Sequence, residues 1–233
     1  MYGITYNNKH SFKDLGLTVL NTRAIETPSK IKITETVPFM SGSYDFSNLY
    51  GSNCYTERQL EYEFLIKARN STELEFKRME VDQWLLSSNS KTQLFDDNIP
   101  GYYYLAECIS VEFEDLVNTG KLKAIFTAYP FRIGEVCEGD SLWDNFNFEL
   151  DVLQDTKFTV NGSSSVNIYN PSIIDIEPSI IASSQFEIVL DNKKYTFGYG
   201  ASKDYRFKFK PGNNNLILKG NGTIEFKFRK EVL

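Results

Sequence analysis

Residues 60–66 read Leu-Glu-Tyr-Glu-Phe-Leu-Ile, and their alternating pattern predicts the fold class. Every second side chain from Leu60 to Ile66 is apolar, and the side chains between them are two glutamates and a leucine. This alternation is typical of a half-buried strand in an antiparallel sheet, with one face on the core and the other on water or a partner. The stretch therefore predicts a mainly β protein.

The same alternation recurs on both sides of this stretch. Residues 31–37 place Ile31, Ile33 and Val37 on one face, and residues 109–114 and 121–126 alternate in the same way. Turn residues at 115–120 separate the last two segments, which predicts a β-hairpin.

Residues 71–88 break the alternation. The spacing of Thr72 and Glu75 matches a capping box, in which two side chains satisfy free amides at the start of a helix. An apolar stripe at helical spacing follows, formed by Leu74, Val81, Trp84 and Leu85. These features predict one helix packed on a sheet, with Trp84 in the core.

A change in charge marks a boundary in the second half of the chain. Residues 133–156 contain seven acidic side chains and no Lys or Arg, which is typical of a connector or an exposed acidic edge. We place the boundary after residue 135, so that residues 1–135 form a β-barrel or β-sandwich domain with one helix.

Residues 136–233 are again rich in strand patterns. Alternation recurs at 186–191, 205–210 and 224–229. The dipeptides between them favour turns, and they are Asn161-Gly162, Asp191-Asn192, Pro211-Gly212 and Asn221-Gly222. This spacing predicts a second domain with a β-sandwich fold.

Composition excludes several classes of protein. The chain has 25 basic and 31 acidic residues, a net charge of −6, which argues against specific nucleic-acid binding. No apolar run approaches the ~20 residues needed to insert in a membrane, and no signal peptide is seen. Cys54, Cys108 and Cys137 form an odd, widely spaced set, which indicates free thiols in a reducing compartment.

Candidates for catalysis or metal binding are few. Asp96 and Asp97 are a possible cation site or a turn, and the adjacent Asn98 favours the turn. His10, the one histidine, has no neighbouring metal-ligand motif, and we expect it at a surface or interface. The sequence therefore predicts no enzyme activity, catalytic residue, cofactor or metal.

An ordered series of motifs runs through the first region. They are residues 12–17 (Phe-Lys-Asp-Leu-Gly-Leu), 37–39 (Val-Pro-Phe), 42–45 (Gly-Ser-Tyr-Asp), 49–51 (Leu-Tyr-Gly), 55–58 (Tyr-Thr-Glu-Arg), 84–85 (Trp-Leu), 94–104 (Leu-Phe-Asp-Asp-Asn-Ile-Pro-Gly-Tyr-Tyr-Tyr) and 126–131 (Phe-Thr-Ala-Tyr-Pro-Phe). In order and spacing the series resembles the distal tail proteins of long-tailed (siphovirus-type) bacteriophages, a phage tail component family. Residues 210–217 resemble the family's last hairpin. After the Val-Pro, the family more often has a glycine where this chain has Phe39.

The resemblance implies a structural role at the tail tip of a phage or prophage virion, assembled in the host cytoplasm. Distal tail proteins have an N-terminal belt domain and a C-terminal galectin-like β-sandwich. They form a homohexameric ring that joins the major tail tube protein to the tail-tip (tail-associated) protein and to receptor-binding or baseplate proteins. The acidic net charge suits a ring through which DNA passes, and it equally fits a surface charge that keeps the protein in solution.

A closed ring needs two different surfaces that meet head to tail. The loop at residues 38–58 is rich in Gly, Ser and Tyr, and it either reaches a neighbouring subunit or folds within its own domain. The candidate inter-subunit contacts are Phe39, Tyr44, Tyr50 and Tyr55. Apolar side chains on the outer faces of strands are further candidates, namely Leu65, Tyr103, Leu105 and Ile125.

A carbohydrate-binding module that adheres to host cell-wall saccharide is the alternative function. Aromatic side chains offer the flat apolar surface on which sugars stack. The candidate saccharide face comprises Trp143, Tyr199 and Tyr205, with Tyr195 beside them. A third reading, an unrelated two-domain β protein, predicts a monomer.

Overall fold

Antiparallel strands and one helix build the part of the chain that the computed structural model describes, namely residues 2–20, 23–47, 49, 53–116, 119–140 and 152–233. This confirms the predicted mainly β fold class. The chain divides between Ile133 and Gly134 into an N-terminal unit, which also includes Leu233, and a C-terminal unit. In the described ranges, no helix is long and apolar enough to cross a membrane.

Strand β7 (Arg58–Lys67) contains the alternating residues 60–66 and lies within the main sheet of the N-terminal unit. The strands along this sheet follow the order β2-β1-β8-β9-β10-β7-β3, and β4 pairs with another part of β7. The other strands up to the junction are β1 (Ile4–Tyr6), β2 (Lys9–His10), β3 (Thr18–Val19), β4 (Ala24–Ile25), β5 (Thr34–Glu35), β6 (Tyr44–Asp45), β8 (Thr92–Asp96), β9 (Tyr102–Leu116), β10 (Thr119–Ala128) and β11 (Arg132–Gly134).

The alternation along β7 is a true core pattern. Leu60, Tyr62, Phe64 and Ile66 are buried, and they join side chains of β10 in one hydrophobic core. The opposite face carries two cross-strand ion pairs, Lys121–Glu63 and Lys123–Glu61, each with an N–O distance of 2.9 Å. Cross-strand pairs of opposite charge stabilise this face modestly.

Helix α1 (Ser71–Leu86) begins at a cap other than the predicted one. Asn70 Oδ1 accepts from the Glu73 amide at 2.8 Å, and Glu73 Oε2 accepts from the Arg69 amide at 2.9 Å. The prediction from Thr72 and Glu75 was therefore wrong by two residues, because Asn caps a helix as well as Thr does.

The predicted apolar stripe of α1 is confirmed, since Leu74, Val81, Trp84 and Leu85 are all buried. The Trp84 indole Nε1 donates to the Tyr6 carbonyl at 2.6 Å, which fixes the ring against strand β1. Trp84 is therefore a core residue, as its position in the stripe predicted.

The predicted hairpin is confirmed by the antiparallel pairing of β9 with β10. Its register shifts next to Ile125, because residue 109 is an extra residue in β9. Ile109 is therefore exposed, and Cys108 takes the core position that the simple alternation gave to Ile109. The three cysteines carry free thiols.

The C-terminal unit is organised around the long strand β17 (Gly212–Lys227). Strand β12 pairs along one edge of β17, and on the other edge β14 pairs with residues 217–219 and β13 with residues 224–227. The unit's strands are β12 (Lys157–Asn170), β13 (Ser179–Ala182), β14 (Phe186–Leu190), β15 (Lys193–Phe197), β16 (Gly200–Ser202), β17 and β18 (Glu231–Val232). Side chains from both halves of the sheet, such as Ile188 and Phe226, share one core.

Two of the predicted turns were wrong. Asn161-Gly162 and Asn221-Gly222 lie inside β12 and β17, where they face each other across the pair. Gly220, which pairs with Gly162, shows why this part of the strand pair needs small residues. A Cβ at position 220 would lie 2.9 Å from the Gln185 carbonyl oxygen. These glycines permit close approach and positive φ values within the paired strands.

Asp191-Asn192 is a turn as predicted, and it joins β14 to β15 with positive φ at both residues. Residues 205–210 do not form the predicted strand. Phe207 and Phe209 are buried, but pairing in this segment is limited to a bridge between Phe209 and Ile176.

Candidate assembly surfaces

A hairpin that we call the arm, comprising described residues 29–47, 49 and 53–56, leaves the N-terminal unit just before β7. Its base is closed by a bridge between Lys30 and Tyr55 and by a hydrogen bond from the Thr56 amide to the Ser29 carbonyl at 2.9 Å. Further out, β5 pairs with β6 through Thr34 and Asp45. The predicted strand at residues 31–37 is therefore reduced to the two residues of β5.

The outer turn of the arm is closed by a hydrogen bond from the Met40 amide to the Val37 carbonyl at 3.1 Å. Phe39 lies in this turn with φ of +67°, a region that favours glycine. The fully exposed Phe39 thus occupies a left-handed position at which the resembled family more often has glycine.

Apolar side chains of the arm point away from any core. The exposed large apolar residues of the arm are Ile31, Ile33, Val37, Phe39, Tyr44, Phe46 and Leu49. A two-stranded ribbon is barely stable alone in water, and clusters of exposed apolar side chains mark interaction sites. The arm therefore presents a cluster of large apolar side chains to solvent.

One ion pair braces the ribbon of the arm. Lys32 Nζ lies 2.7 Å from Asp45 Oδ2, and Asp45 also accepts from the Ser47 amide. The hydrogen bond from Lys32, followed by those from Ser47, holds the pKa of Asp45 below its ordinary value. Because both side chains are about half exposed, at 54% and 47%, this pair contributes little to stability.

The four candidate contacts have different positions. Phe39 and Tyr44 are exposed on the arm, whereas Tyr55 is half-buried at its base, with its ring 5.2 Å from that of Phe131. Tyr50 lies outside the described residues. Phe39 and Tyr44 therefore lie together on the exposed part of the arm, whereas Tyr55 belongs to its base.

The proposed outward residues of the main sheet are not exposed. Tyr103 is buried, and Leu65, Leu105 and Ile125 are half-buried. The expectation of exposure was therefore wrong for Tyr103, whose ring lies 5.5 Å from that of Phe95, and the other three are only partly exposed.

The outer face of α1 is a second apolar surface, which sequence analysis missed. Phe76, Met79 and Leu86 are exposed on the helix, opposite the stripe that enters the core. Their spacing of three and seven residues keeps them on one side of the helix. Exposed Glu75 and Gln83 lie on the same side, so this face of the helix is mixed, with three large apolar side chains among polar ones.

Two arginines lie over one tyrosine ring close in sequence to the base of the arm and to β11. The buried Arg58 lies over the Tyr104 ring at 5.5 Å, and Arg132 lies over the same ring at 5.6 Å. Arg132 Nε also donates to the Tyr104 hydroxyl at 2.8 Å. Burial, together with the nearby Arg132, lowers the pKa of Arg58.

His10 is buried, so the expectation of a surface position was wrong. Its Nδ1 accepts from the amides of Phe12 and Lys13, at 3.0 and 3.1 Å, which places the ring proton on Nε2. Nε2 then donates to Asp97 Oδ2 at 3.0 Å, and the Gly3 amide donates to the same oxygen. The partner is 87 residues away, which local sequence could not reveal.

Asp96 and Asp97 belong to a structural turn. The Ile99 amide donates to the Asp96 carbonyl at 2.8 Å, and the buried Asp96 carboxylate accepts from Arg23 and Tyr62 at 2.8 and 3.0 Å. Within the described ranges, no group of three or more His, Cys, Asp or Glu side chains could hold a metal ion.

The C-terminal unit contains an open concavity of about 670 Å³. It is lined by Lys193, Lys194, Tyr195, Thr196, Asp204 and Arg206. Of the candidate saccharide residues, Tyr205 adjoins the concavity in sequence and is 74% exposed, and Tyr199 is 85% exposed. Trp143 lies outside the described residues.

Comparisons with known proteins find similar structures but no similar sequence. No protein-family model matches the chain, and no curated protein matches its sequence. Among solved structures, the Dit protein (gp 19.1) of phage SPP1 has a TM-score of 0.66 at 13% identity, with 98% of this chain and 99% of that chain covered. It is described as a paradigm of the hub adsorption apparatus in phages that infect Gram-positive bacteria.

Chains of the phage p2 baseplate in its activated conformation are also similar. With strontium the TM-score is 0.42 at 12% identity, covering 98% of this chain and 97% of that chain. With calcium it is 0.36 at 11% identity, covering 97% of each. The likeness to the SPP1 protein extends over nearly the full length of both chains, and this chain therefore has the fold of a phage distal tail hub protein.

Proposed function

We propose that this protein is a structural component of a phage or prophage tail tip, where it forms a homohexameric ring. The ring connects the major tail tube protein to the tail-tip protein and to receptor-binding or baseplate proteins. The observation that carries the proposal is the arm, whose large apolar side chains are exposed and belong to neither hydrophobic core of the described residues. The shared fold with a phage hub protein supports the same role.

Two distinct apolar surfaces in one unit are what a ring contact requires. A closed ring is built from heterologous contacts, in which one surface of each copy meets a different surface of the next. The arm supplies one such surface, and the outer face of α1, with Phe76, Met79 and Leu86, supplies the other. We propose that the arm of one copy covers the helix face of its neighbour.

Burial of these side chains would favour assembly. Full burial of one large apolar side chain is worth about 1.5–3 kcal/mol. Phe39, Tyr44 and Phe46 would together contribute several kcal/mol per contact, and a ring repeats each contact around its circumference. A contact that is weak in a pair of copies then becomes stable in the closed ring.

The experiment is negative-stain electron microscopy of the purified chain, with and without residues 40–56. The intact protein is expected to show sixfold rings, and the deletion variant only small particles. Thermal unfolding of both proteins provides the control, because the deletion also removes Tyr55, whose ring packs on Phe131 at the base of the arm. Rings that survive the deletion would refute the role of the arm, and intact protein without rings would refute the hub proposal.

A second variant tests the other half of the contact. Phe76→Ser together with Met79→Ser changes only exposed positions on α1, so the fold is expected to persist. Loss of rings at the same protein concentration would support the helix face as the surface that receives the arm. Unchanged rings would exclude it.

A further inference from the structure

We propose that the concavity beside strand β15 in the C-terminal unit binds an anionic saccharide, that is, a sugar polymer carrying phosphate or carboxylate groups. Nothing in the hub role requires such a site, and the inference does not depend on ring formation. It rests on the concavity, the charges that line it, the Tyr195 ring in its wall and the Tyr205 ring next to Arg206.

The size of the concavity suits a small organic ligand. Its volume of about 670 Å³ lies within the range of roughly 300–1,000 Å³ that is usual for ligand sites. An inorganic anion would fill only a small part of it. Two or three sugar units are a better match to this space.

The lining is basic in a protein that is acidic as a whole. Lys193, Lys194 and Arg206 face one carboxylate, that of Asp204, whereas the full chain has a net charge of −6. In the described structure, no carboxylate lies within ion-pair distance of Lys193, whereas Lys194 pairs with Glu187 at 3.5 Å and Arg206 with Asp204 at 2.8 Å. Lys193, Lys194 and Arg206 outnumber the carboxylates of Asp204 and Glu187 by one charge, and this positive excess favours an anionic sugar over a neutral one.

Arg206 is held in place before any ligand arrives. Its Nε and Nη2 donate to the two carboxylate oxygens of Asp204 at 3.0 and 2.8 Å. Its guanidinium carbon lies 5.8 Å from the centre of the Tyr205 ring. A guanidinium fixed in this way loses little conformational entropy on binding, and its remaining nitrogen can donate to an anionic group.

The aromatic rings distinguish a saccharide from a simple anion. Tyr195 packs on the buried Phe207 with ring centres 5.0 Å apart, and its hydroxyl donates to the Arg206 carbonyl at 3.2 Å. Tyr195 therefore forms a rigid wall tied to the core, while Tyr205 is exposed beside it. Flat rings next to polar groups match the mixed apolar and hydroxylated surface of a sugar.

The test uses the full chain and three labelled probes of similar length: phosphorylated dextran, unmodified dextran and polyglutamate. Fluorescence anisotropy at low salt is expected to show that phosphorylated dextran binds at least about tenfold more tightly than either other probe, a difference of roughly 1.4 kcal/mol. Absence of binding, or equal binding of polyglutamate, would overturn the proposal. Polyglutamate binding would instead indicate an acidic protein partner.

Variants locate the site. Lys193→Gln with Lys194→Gln is expected to weaken binding of phosphorylated dextran at least about tenfold, and Tyr205→Ser about threefold or more. The matched control, Lys157→Gln with Lys227→Gln, removes the same charge elsewhere in the unit and is expected to change binding less than about twofold. Equal loss in both double variants would show non-specific attraction and overturn the site.

Particle mass, measured on the same samples, separates this inference from the hub proposal. The lysine and tyrosine variants are expected to assemble like the parent protein, since the arm is unchanged. Normal assembly without saccharide binding would overturn the inference alone. Saccharide binding by a chain that does not assemble would support the inference and refute the ring.

Discussion

The arm and strand β7 adjoin in sequence and carry similar apolar side chains, yet they bury them in opposite ways. Ile33 is 55% exposed on the arm, whereas Phe64 in β7 is 0% exposed. Strand β7 has β10 along one edge and β3 and β4 along the other, while among the described strands β5 and β6 of the arm pair with each other alone. The comparison teaches that alternation predicts a strand, and that paired neighbours decide whether its apolar face is covered by the same chain.

The largest expected difference is in the free energy of unfolding, between a phenylalanine substitution in β7 and one on the arm. Phe64→Ala removes a buried ring from the core of the N-terminal unit, and we expect it to lower the free energy of unfolding by about 3–5 kcal/mol. Phe39→Ala on the arm is expected to change it by less than about 0.5 kcal/mol. Urea unfolding at low protein concentration measures both, and similar losses for the two variants would break the comparison.

The next largest effect on the free energy of unfolding is expected at the buried carboxylate of Asp96. Asp96→Asn weakens a buried acceptor for Arg23 and Tyr62, and we expect a loss of about 1–3 kcal/mol in the free energy of unfolding. Urea unfolding at pH 7 is the measurement. A loss well below this range would show that the network around Asp96 does not stabilise the sheet.

The two regions also differ in thiol chemistry. Cys54 is exposed near the base of the arm, whereas burial in β9 raises the pKa of Cys108 to about 12. At pH 8 we expect iodoacetamide to modify Cys54 more than about a hundredfold faster than Cys108, since the thiolate is the reactive form. Peptide mass mapping over time provides the rates, and comparable rates would contradict the burial of Cys108.

The smallest expected effect is that of Asp45→Asn on the arm. The pKa of Asp45 is lowered, so any stability from its pair with Lys32 is present at neutral pH and lost only when pH falls through the lowered value. Because the pair is exposed, we expect no measurable change in unfolding at pH 7, at low or high salt. A clear salt-dependent loss would show that the ribbon relies on this ion pair.

Local periodicity explains what could be predicted from the sequence. The alternation of β7 and the stripe of α1 that ends at Trp84 and Leu85 are spacings within one element, and the structure contains both. The bulge at Ile109 and the glycines inside β12 and β17 could not be predicted, because they depend on the strand paired opposite. The burial of His10 likewise depends on Asp97, far along the chain.

The candidate site was predictable only in part. Tyr and Phe in a Gly- and Ser-rich segment indicated Phe39 and Tyr44, since such a segment has few core contacts of its own. The outer face of α1 was missed because Trp84 and Leu85 already explained the helix as a core element. The basic concavity was missed because Lys194 and Arg206 come together through β15 and the segment after β16, which sequence spacing does not show.

The central claim is that the arm's apolar side chains assemble copies of the chain into a ring. Light scattering gives the particle mass of the parent protein, of Phe39→Ser with Tyr44→Ser, and of Tyr199→Ser as a control at an exposed tyrosine outside the arm. The account predicts a sixfold mass for the parent and the control and mainly single chains for the arm variant. A single-chain mass for the parent protein, or a sixfold mass that the arm variant retains, would contradict it.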